Sequence, residues 1–243
     1  MEIAATPWPI VGHTVAVEML ARAARTGQVA HAYLFFGPEG IGRFTLARIF
    51  AQALLCEAPP DERPCGRCSA CQRVERGVHP DVSIISRETQ AAGDERGDGK
   101  HTRISIETVR NLRASISLRP MEGRWRVAII AESDLLSRDA FDALLKTLEE
   151  PPPFVVLILI ATEAEALPET IRSRCQPVPL EPLSRGAVAA ELTRRGIPPE
   201  EAATIASLSR GRIGHALALA ADPEALDARR QAVDAGLEMI ESP

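Results

Sequence analysis

Runs of consecutive apolar residues alternate along the chain with segments in which apolar residues recur at helical spacing. The apolar runs predict buried strands at 32–36, 124–131 and 154–161, with a fourth candidate at 81–86. Helical spacing predicts helices at 11–25, 45–55, 104–116 and 137–150. Strands that alternate with helices are typical of a mainly parallel sheet that is covered by helices on both faces. We therefore expect an α/β fold.

The pattern changes at residues 181–184, after which it is helical, with breaks at 196–199 and at Gly211. We predict an α/β domain over residues 1–180 and a small helical lid domain over residues 181–243. Within the first domain, the charged and glycine-rich segment 87–103 predicts a mobile loop, to which the sequence assigns no role.

The composition narrows the class of protein. Of the 243 residues, 45% are hydrophobic and 25% are charged, as in soluble globular proteins. No apolar run approaches the roughly 20 residues needed to cross a bilayer. The first twelve residues also lack the basic and apolar regions of a signal peptide. We therefore expect a cytoplasmic protein without a membrane partner.

The charge balance bears on nucleic-acid binding. A net charge of −5 argues against a protein that coats nucleic acid by itself, because phosphate neutralisation needs clustered Lys and Arg. Arg110 and Arg113 nevertheless share one face of a predicted helix, and Arg119 follows near its end. A local surface that contacts DNA is therefore one interpretation of these three arginines. A solvated charged face is the commoner cause of such a pattern.

Four of the five cysteines lie close together, at Cys56, Cys65, Cys68 and Cys71. In a reducing compartment, four thiolates satisfy tetrahedral Zn²⁺ and leave no open coordination position. The spacing therefore predicts a structural zinc module at about 56–71, with unliganded thiols or a redox pair as the alternatives. His79 is the nearest substitute ligand, and we expect Cys175 to be unpaired.

The stretch GPEGIGRFTLA follows the first predicted strand and precedes a helix. Strand, glycine loop and helix in this order are typical of a phosphate-binding loop, in which backbone N–H groups hold the phosphates. Gly37, Gly40 and Gly42 keep the glycine pattern of such a loop. A plain tight turn from strand to helix is the alternative.

The two most reactive positions of the loop are replaced. A working loop uses a lysine to bind the β- and γ-phosphate oxygens and a hydroxyl to bind Mg²⁺. Here Arg43 stands at the lysine position and Phe44 at the hydroxyl position. Thr45 does not rescue the site, because one step along a helix turns the side chain by about 100°.

A second magnesium contact is also missing. An ATPase of this kind ends a strand in acidic residues that hold the water shell of Mg²⁺ and polarise the attacking water. Here Ala131 stands at the first acidic position, while Glu132 is retained at the second. With hydroxyl and carboxylate both lost, we do not expect ATP and Mg²⁺ to bind productively.

Several motifs together resemble one family. HAYLFFGPEGIGRFTLA, the four-cysteine insertion, HPDVSII, AFDALLKTLEEPP and LPETIRSRCQ occur in the order found in the AAA+ clamp-loader subunits of bacterial DNA polymerase III. The chain is most similar to the delta-prime branch, with the gamma/tau motor subunits as close relatives, over residues 11–219. The resemblance implies a RecA-like α/β domain, an inserted zinc module and a helical lid that runs into a linker. In this family the linker continues into a collar domain, and we expect that domain to lie beyond the given residues.

The resemblance also implies roles for single residues. Arg174 would be an arginine finger that acts in trans on the ATP site of a neighbouring motor subunit. Thr162 matches the first sensor position, and Gly214 stands where a motor carries its ATP-sensing arginine. On composition alone, Arg174 is a solvated arginine at the end of a helix, and a threonine at the end of a strand is common by chance.

The function expected from the resemblance is that of a clamp-loader subunit that does not hydrolyse ATP. Its partners would be the gamma/tau and delta subunits, the sliding clamp, and primed DNA within the assembled complex. Two alternatives stay open. One is a gamma/tau-like ATPase whose loop tolerates Arg43 and Phe44, and the other is a zinc-dependent DNA-binding regulator.

Overall fold

The computed structural model describes residues 8–92, 102–222, 224 and 226. By their contacts, the residues form two compact units. Of the described residues, the first unit contains 8–10, 14–37, 43–92 and 102–180. The second unit contains residues 11–13, residues 38–42 of the glycine loop, and the described residues from Glu181 onwards.

A five-stranded sheet forms the centre of the first unit. The strands are β1 (Ala32–Phe36), β2 (Val82–Ile85), β3 (Arg126–Ile130), β4 (Val155–Ala161) and β5 (Gln176–Pro179). They lie in the order β2-β3-β4-β1-β5, and every neighbouring pair is parallel. Every residue of β3 and β4 is buried, as expected of central strands in a parallel sheet.

The sequence pattern did not predict β5. Its residues are Gln-Pro-Val-Pro, and only Val178 among them is buried. Proline lacks a backbone N–H and is therefore confined to edge strands, where β5 lies. The strand pairs with β1 in register, Tyr33 opposite Gln176 and Phe36 opposite Pro179.

Seven helices surround this sheet in the described part of the first unit. They are α1 (Thr14–Thr26), α2 (Arg43–Leu55), α3 (Ser69–Glu75), α4 (Arg87–Ala92), α5 (Ile106–Ile116), α6 (Arg138–Glu149) and α7 (Glu169–Arg172). Leu34 and alternate residues of β3 and β4 pack with α5 and α6 in one hydrophobic cluster. Tyr33 contacts Phe50 of α2 edge to face, with ring centroids 5.1 Å apart. The sheet is thus covered on both faces.

Two predictions about this unit need correction. Residues 87–92 belong to α4 and not to a loop, because Thr89 and Ser86 satisfy each other's backbone and hydroxyl groups at the helix start. The remaining residues of that predicted loop up to 101 lie outside the described residues. Helix α1 begins at Thr14 and not at residue 11, because Gly12 and His13 have positive φ angles of 71° and 54°.

The second unit is helical. Its helices are α8 (Arg185–Arg194), α9 (Pro199–Ser209) and α10 (Ile213–Ala221). The Ser184 hydroxyl accepts a hydrogen bond from the Ala187 N–H and thereby begins α8. Leu192, Ile205 and Ala216 are buried at the centre of a hydrophobic cluster that all three helices share.

Candidate functional site

The glycine loop adopts a backbone conformation that requires glycine at three positions. Gly37, Gly40 and Gly42 have φ angles of 148°, 74° and 105°. A Cβ atom at Gly37 would lie 2.2 Å from the carbonyl oxygen of Leu180, so that position also lacks space for a side chain. The backbone geometry therefore requires these glycines, as both a phosphate-binding loop and a plain tight turn would.

Two carbonyl oxygens of the loop are hydrogen bonded within the second unit. The Gly40 oxygen accepts a hydrogen bond of 2.7 Å from the N–H of Gly214, the second residue of α10. A Cβ atom at Gly214 would lie 2.9 Å from that oxygen. The Ile41 oxygen lies 3.0 Å from Nε2 of His13. Backbone and side-chain donors of the chain itself therefore fix this part of the loop.

The first turn of α2 carries the two replaced positions. Arg43 is its first residue, and the side chain of Phe44 is exposed, with 37% of its surface accessible. Thr45 is exposed as well and lines an open cavity of about 670 Å³ between α2 and the cysteine segment. A phenyl ring offers no oxygen ligand to a metal ion, so Phe44 cannot replace the hydroxyl of a phosphate-binding loop.

Glu132, the retained acidic residue at the end of β3, is held by Arg87. The Glu132 carboxylate accepts hydrogen bonds from the Arg87 backbone N–H at 2.8 Å and from its guanidinium at 2.9 and 3.1 Å. Partial burial of the carboxyl opposes ionisation, but the Arg87 hydrogen bonds outweigh it and lower the pKa of Glu132. Ala131 contributes only a backbone N–H, which donates to the Ile85 oxygen.

Thr162, at the end of β4, is engaged on both sides. Its hydroxyl donates to the Asp134 carboxylate at 2.8 Å, and its carbonyl oxygen accepts from the Gly37 N–H at 3.1 Å. Asp134, which follows β3, is therefore linked through Thr162 to Gly37, the first residue of the glycine loop. The sequence reading named Thr162 and missed Asp134, whose signal was only its position in the acidic stretch Glu132-Ser133-Asp134.

Arg174 follows α7 and is anchored within the chain. Its Nη1 donates to the carbonyl oxygen of Thr170 at 2.8 Å, and its Nη2 donates to Oε1 of Glu149 at 2.9 Å. The side chain keeps 35% of its surface exposed. Its Nε–H donates no hydrogen bond among the described residues, so this part of the guanidinium can still bind a ligand.

The four predicted cysteines form one cluster. The Sγ atoms of Cys56, Cys65, Cys68 and Cys71 all lie within 4.8 Å of one another. A tetrahedron of sulfurs around zinc, with metal–sulfur distances of about 2.3 Å, places the sulfurs about 3.8 Å apart. The Cys56 and Cys68 sulfurs are 4.0 Å apart. The cluster could therefore hold a metal ion.

Backbone N–H groups donate hydrogen bonds to the cysteine sulfurs, and such donors favour the thiolate form. The N–H groups of Cys65, Cys68 and Cys71 each donate to the sulfur of an earlier cysteine at 3.4 Å. Burial acts against ionisation of Cys65, but N–H donors from Arg67 and Cys68 lower the pKa of this thiol to about 7. Burial raises the pKa of the Cys71 thiol.

His79 and Cys175 lie outside this cluster. His79 is buried, and its Nδ1 accepts a hydrogen bond from the Asp81 N–H at 3.1 Å, so this atom has a structural partner. Cys175 is buried in the hydrophobic cluster of the sheet and forms no disulfide. Burial raises the pKa of its thiol to about 12.

Sequence reasoning missed the buried carboxylate of Asp81. Its two oxygens accept hydrogen bonds from the N–H groups of Met121, Glu122 and Gly123 at 2.7, 2.9 and 3.2 Å. Burial of the carboxyl opposes ionisation, but these donors lower the pKa of Asp81. Asp81 therefore fixes the turn before β3, where the Met121 side chain is 72% exposed.

The three arginines considered for DNA contact lie on or after α5. Arg110 and Arg119 are exposed, and Arg113 is half-buried. The carbonyl oxygen of Arg119 accepts a hydrogen bond of 3.0 Å from Arg126.

Comparison with known proteins finds relatives that are subunits of DNA polymerase III. The family described as "DNA polymerase III, delta subunit" matches residues 12–184. DNA polymerase III subunit tau/gamma of Haemophilus influenzae is 34% identical over 216 residues, which are 86% of this chain and 30% of the relative. Subunit tau of Escherichia coli is 38% identical over 166 residues, which are 68% of this chain and 24% of the relative. The chain thus spans less than a third of either relative.

Solved structures share the fold. The RuvB Holliday junction branch migration motor of Thermotoga maritima superposes with a TM-score of 0.57 at 20% identity, over 88% of this chain and 63% of that one. A gamma subunit-related protein of Thermotoga maritima superposes with a TM-score of 0.52 at 18% identity, over 83% and 69%. In the part of the chain that the structure describes, no helix is long and apolar enough to span a membrane.

Proposed function

Because the chain belongs to the DNA polymerase III delta-subunit family, we propose that it is a delta-prime-like subunit of the clamp loader that does not hydrolyse ATP. In this role it contributes an interface and an arginine to the assembly, while neighbouring gamma/tau subunits hydrolyse ATP. Together with the delta subunit, they place the sliding clamp on primed DNA.

One observation carries this proposal: the positions that would hold Mg²⁺ have no oxygen ligand. Phe44 replaces the hydroxyl of the loop, and Ala131 replaces the first carboxylate after β3. Without the metal ion, the charge that develops on the γ-phosphate has no counter-ion, so hydrolysis by this chain is not supported. The contacts of Glu132 with Arg87 and of Thr162 with Asp134 agree with a site that has lost this task.

Arg174 is the residue through which we propose that this chain acts on a neighbour. A guanidinium forms paired, charge-assisted hydrogen bonds to phosphate oxygens and offsets charge on the γ-phosphoryl group. Its partial exposure at the end of α7 supports a role toward another molecule.

The cofactor that we propose for the cysteine cluster is structural Zn²⁺. Four sulfur ligands match the coordination number of zinc and leave no open position for a substrate. The ion would tie the segment from Cys56 to Cys71 together. All four cysteines belong to the same compact unit as the sheet.

The test of the proposed function is reconstitution with the cognate gamma/tau and delta subunits, the clamp and primed DNA. We expect Arg174→Ala to lower ATP turnover and clamp loading, because one motor site loses the counter-charge of its transition state. An arginine finger contributes about 10³-fold or more at its own site, and the remaining motor sites limit the fall in total turnover. Arg172→Ala, two residues away in α7, is the matched control, and unchanged turnover with Arg174→Ala would contradict the assignment.

A second candidate function is that of a gamma/tau-like motor. The names of the relatives at 34% and 38% identity favour it, since both are tau or gamma subunits. Magnesium-dependent ATP hydrolysis by the purified chain would establish this candidate and refute the first.

A further inference from the structure

A carboxylate of the same chain holds the guanidinium that we propose to act on a neighbouring nucleotide. Oε1 of Glu149 accepts a hydrogen bond of 2.9 Å from Nη2 of Arg174, and the Thr170 oxygen accepts one of 2.8 Å from Nη1. The Glu149 side chain is 53% exposed and that of Arg174 is 35% exposed. The pair therefore lies where another molecule can reach it.

The position of Glu149 is not explained by the stability of its own helix. Glu149 is the last residue of α6, and the end of a helix carries partial negative charge, which disfavours a carboxylate. Glu150 follows as the C-cap residue and has the same disadvantage. Glu149 differs from Glu150 in having Arg174 as an ion-pair partner. Its carboxylate therefore serves the contact with Arg174.

A carboxylate and a phosphate bind a guanidinium through the same kind of contact. Both present a pair of oxygens that can accept charge-assisted N–H bonds from two adjacent nitrogens. A phosphate that binds the N–H of Nη2 held by Glu149 must therefore displace this carboxylate. Nε of Arg174 makes no hydrogen bond among the described residues, so a phosphate can begin to bind there before the carboxylate leaves.

We propose that Glu149 is a positioning residue that holds Arg174 against its own chain until phosphate oxygens of a neighbouring nucleotide displace the carboxylate. This inference rests on the proposed function of Arg174. Because the pair is partly exposed, the restraint is weak: exposed ion pairs alter an equilibrium by about two- to five-fold. Glu149 therefore adjusts how readily the finger engages and does not block it.

The test compares Glu149→Gln with Glu150→Gln in the reconstituted loader. Glutamine keeps the size and one acceptor oxygen of glutamate but removes its charge. We expect Glu149→Gln to raise kcat/KM for ATP by up to about five-fold. Glu150→Gln should leave kcat/KM unchanged, because it makes the same charge change one residue away without an ion pair to Arg174. An unchanged or lowered value for Glu149→Gln, or an equal rise for both variants, would overturn the inference.

The Arg174→Ala background separates this inference from the proposed function. If Glu149 acts through Arg174, then Glu149→Gln has no effect on kcat/KM once Arg174 is alanine. A rise that persists in that background would show that Glu149 acts elsewhere. If Arg174→Ala itself leaves turnover unchanged, the proposed function of Arg174 fails. If Arg174→Ala lowers turnover while Glu149→Gln equals the wild type, only the inference fails.

Discussion

Gly214 lies against the glycine loop, and its backbone position leaves no space for a side chain. Its N–H donates to the Gly40 oxygen at 2.7 Å, and an added Cβ atom would lie 2.9 Å from that oxygen. A contact this close requires the backbone of the loop or of α10 to move. Gly214 therefore packs directly against the backbone of the glycine loop.

Gly214→Ala should destabilise the second unit by about 1–3 kcal/mol through overpacking. This cost exceeds the gain of at most about 1 kcal/mol that alanine brings in helix propensity. Gly186→Ala is the matched control, since Gly186 is the second residue of α8 as Gly214 is of α10, and no atom lies within 4 Å of its added Cβ. Urea unfolding should show opposite signs for the two variants, and stabilisation by both would refute the packing argument.

Asp81 is the second residue whose role depends on close contacts. Three backbone N–H groups converge on a carboxylate whose side chain is fully buried. In Asp81→Asn, one oxygen becomes an N–H donor that faces an N–H donor of the backbone. The variant should therefore lose about 2 kcal/mol of the free energy of unfolding at pH 7, since bonds to a charged acceptor contribute about 1.5–3 kcal/mol.

The pH dependence of this loss follows from the lowered pKa of Asp81. A carboxyl whose folded pKa is depressed stabilises the fold above its unfolded pKa of about 3.9, and this contribution disappears as pH falls through the folded pKa. The difference between wild type and Asp81→Asn should therefore shrink below about pH 4. Urea titrations across this range measure it, with exposed Asp61→Asn as the control. A difference that stays constant with pH would contradict the role of the charge.

At the scale of elements, the cysteine segment is attached to α2. Nε2 of Gln52 donates to the Cys71 oxygen at 3.0 Å and to Glu75 at 3.1 Å. Cys71 and Val74 of α3 are buried. The segment is short and has few apolar residues, so a metal ion would supply much of its order.

Removal of the proposed zinc should therefore increase the local opening of residues 56–75 without opening the sheet. We expect about one zinc per chain by elemental analysis. After chelation, hydrogen exchange should become fast in this segment, while β3 and β4 stay protected. Cys68→Ser should reproduce the effect, whereas Cys175→Ala should retain the metal because Cys175 is outside the cluster. Metal-free protein with unchanged protection would rule out a structural zinc.

The sequence predicted those elements whose signal is local. The strands β1 and β4 are continuous apolar runs, and β3 is apolar after its first residue, Arg126. Ser137 caps α6 as expected, accepting from the Ala140 N–H. The strand β5 escaped prediction because two prolines mark it as a loop, and only pairing with β1 makes it a strand. Within the site, the cysteine cluster was predictable from spacing. The contacts of Gly214 with Gly40 and of Glu149 with Arg174 join segments that are distant in the sequence, so no local pattern predicts them.

At the scale of the whole molecule, the three positions on which the proposed lack of ATP hydrolysis rests are distributed along the chain. Phe44 lies at the start of α2, Ala131 follows β3, and Gly214 lies at the start of α10. In an ATPase, residues at such positions act together on one metal-bound nucleotide, so their effects are strongly interdependent. Under the proposed function, a change in one segment alone should therefore not produce ATP hydrolysis.

Arg43→Lys with Phe44→Thr restores the lysine and the hydroxyl of the loop, and Phe44 is exposed enough to be replaced without loss of the core. We expect this double variant to release no more phosphate from ATP and Mg²⁺ than the wild type. The carboxylate at position 131 is still missing, and Arg87 still holds Glu132. The measurement is phosphate release by the purified chain, with a cognate motor subunit as the positive control. Hydrolysis that appears in the double variant and disappears when Lys is changed to Ala would show that the loop alone had been limiting.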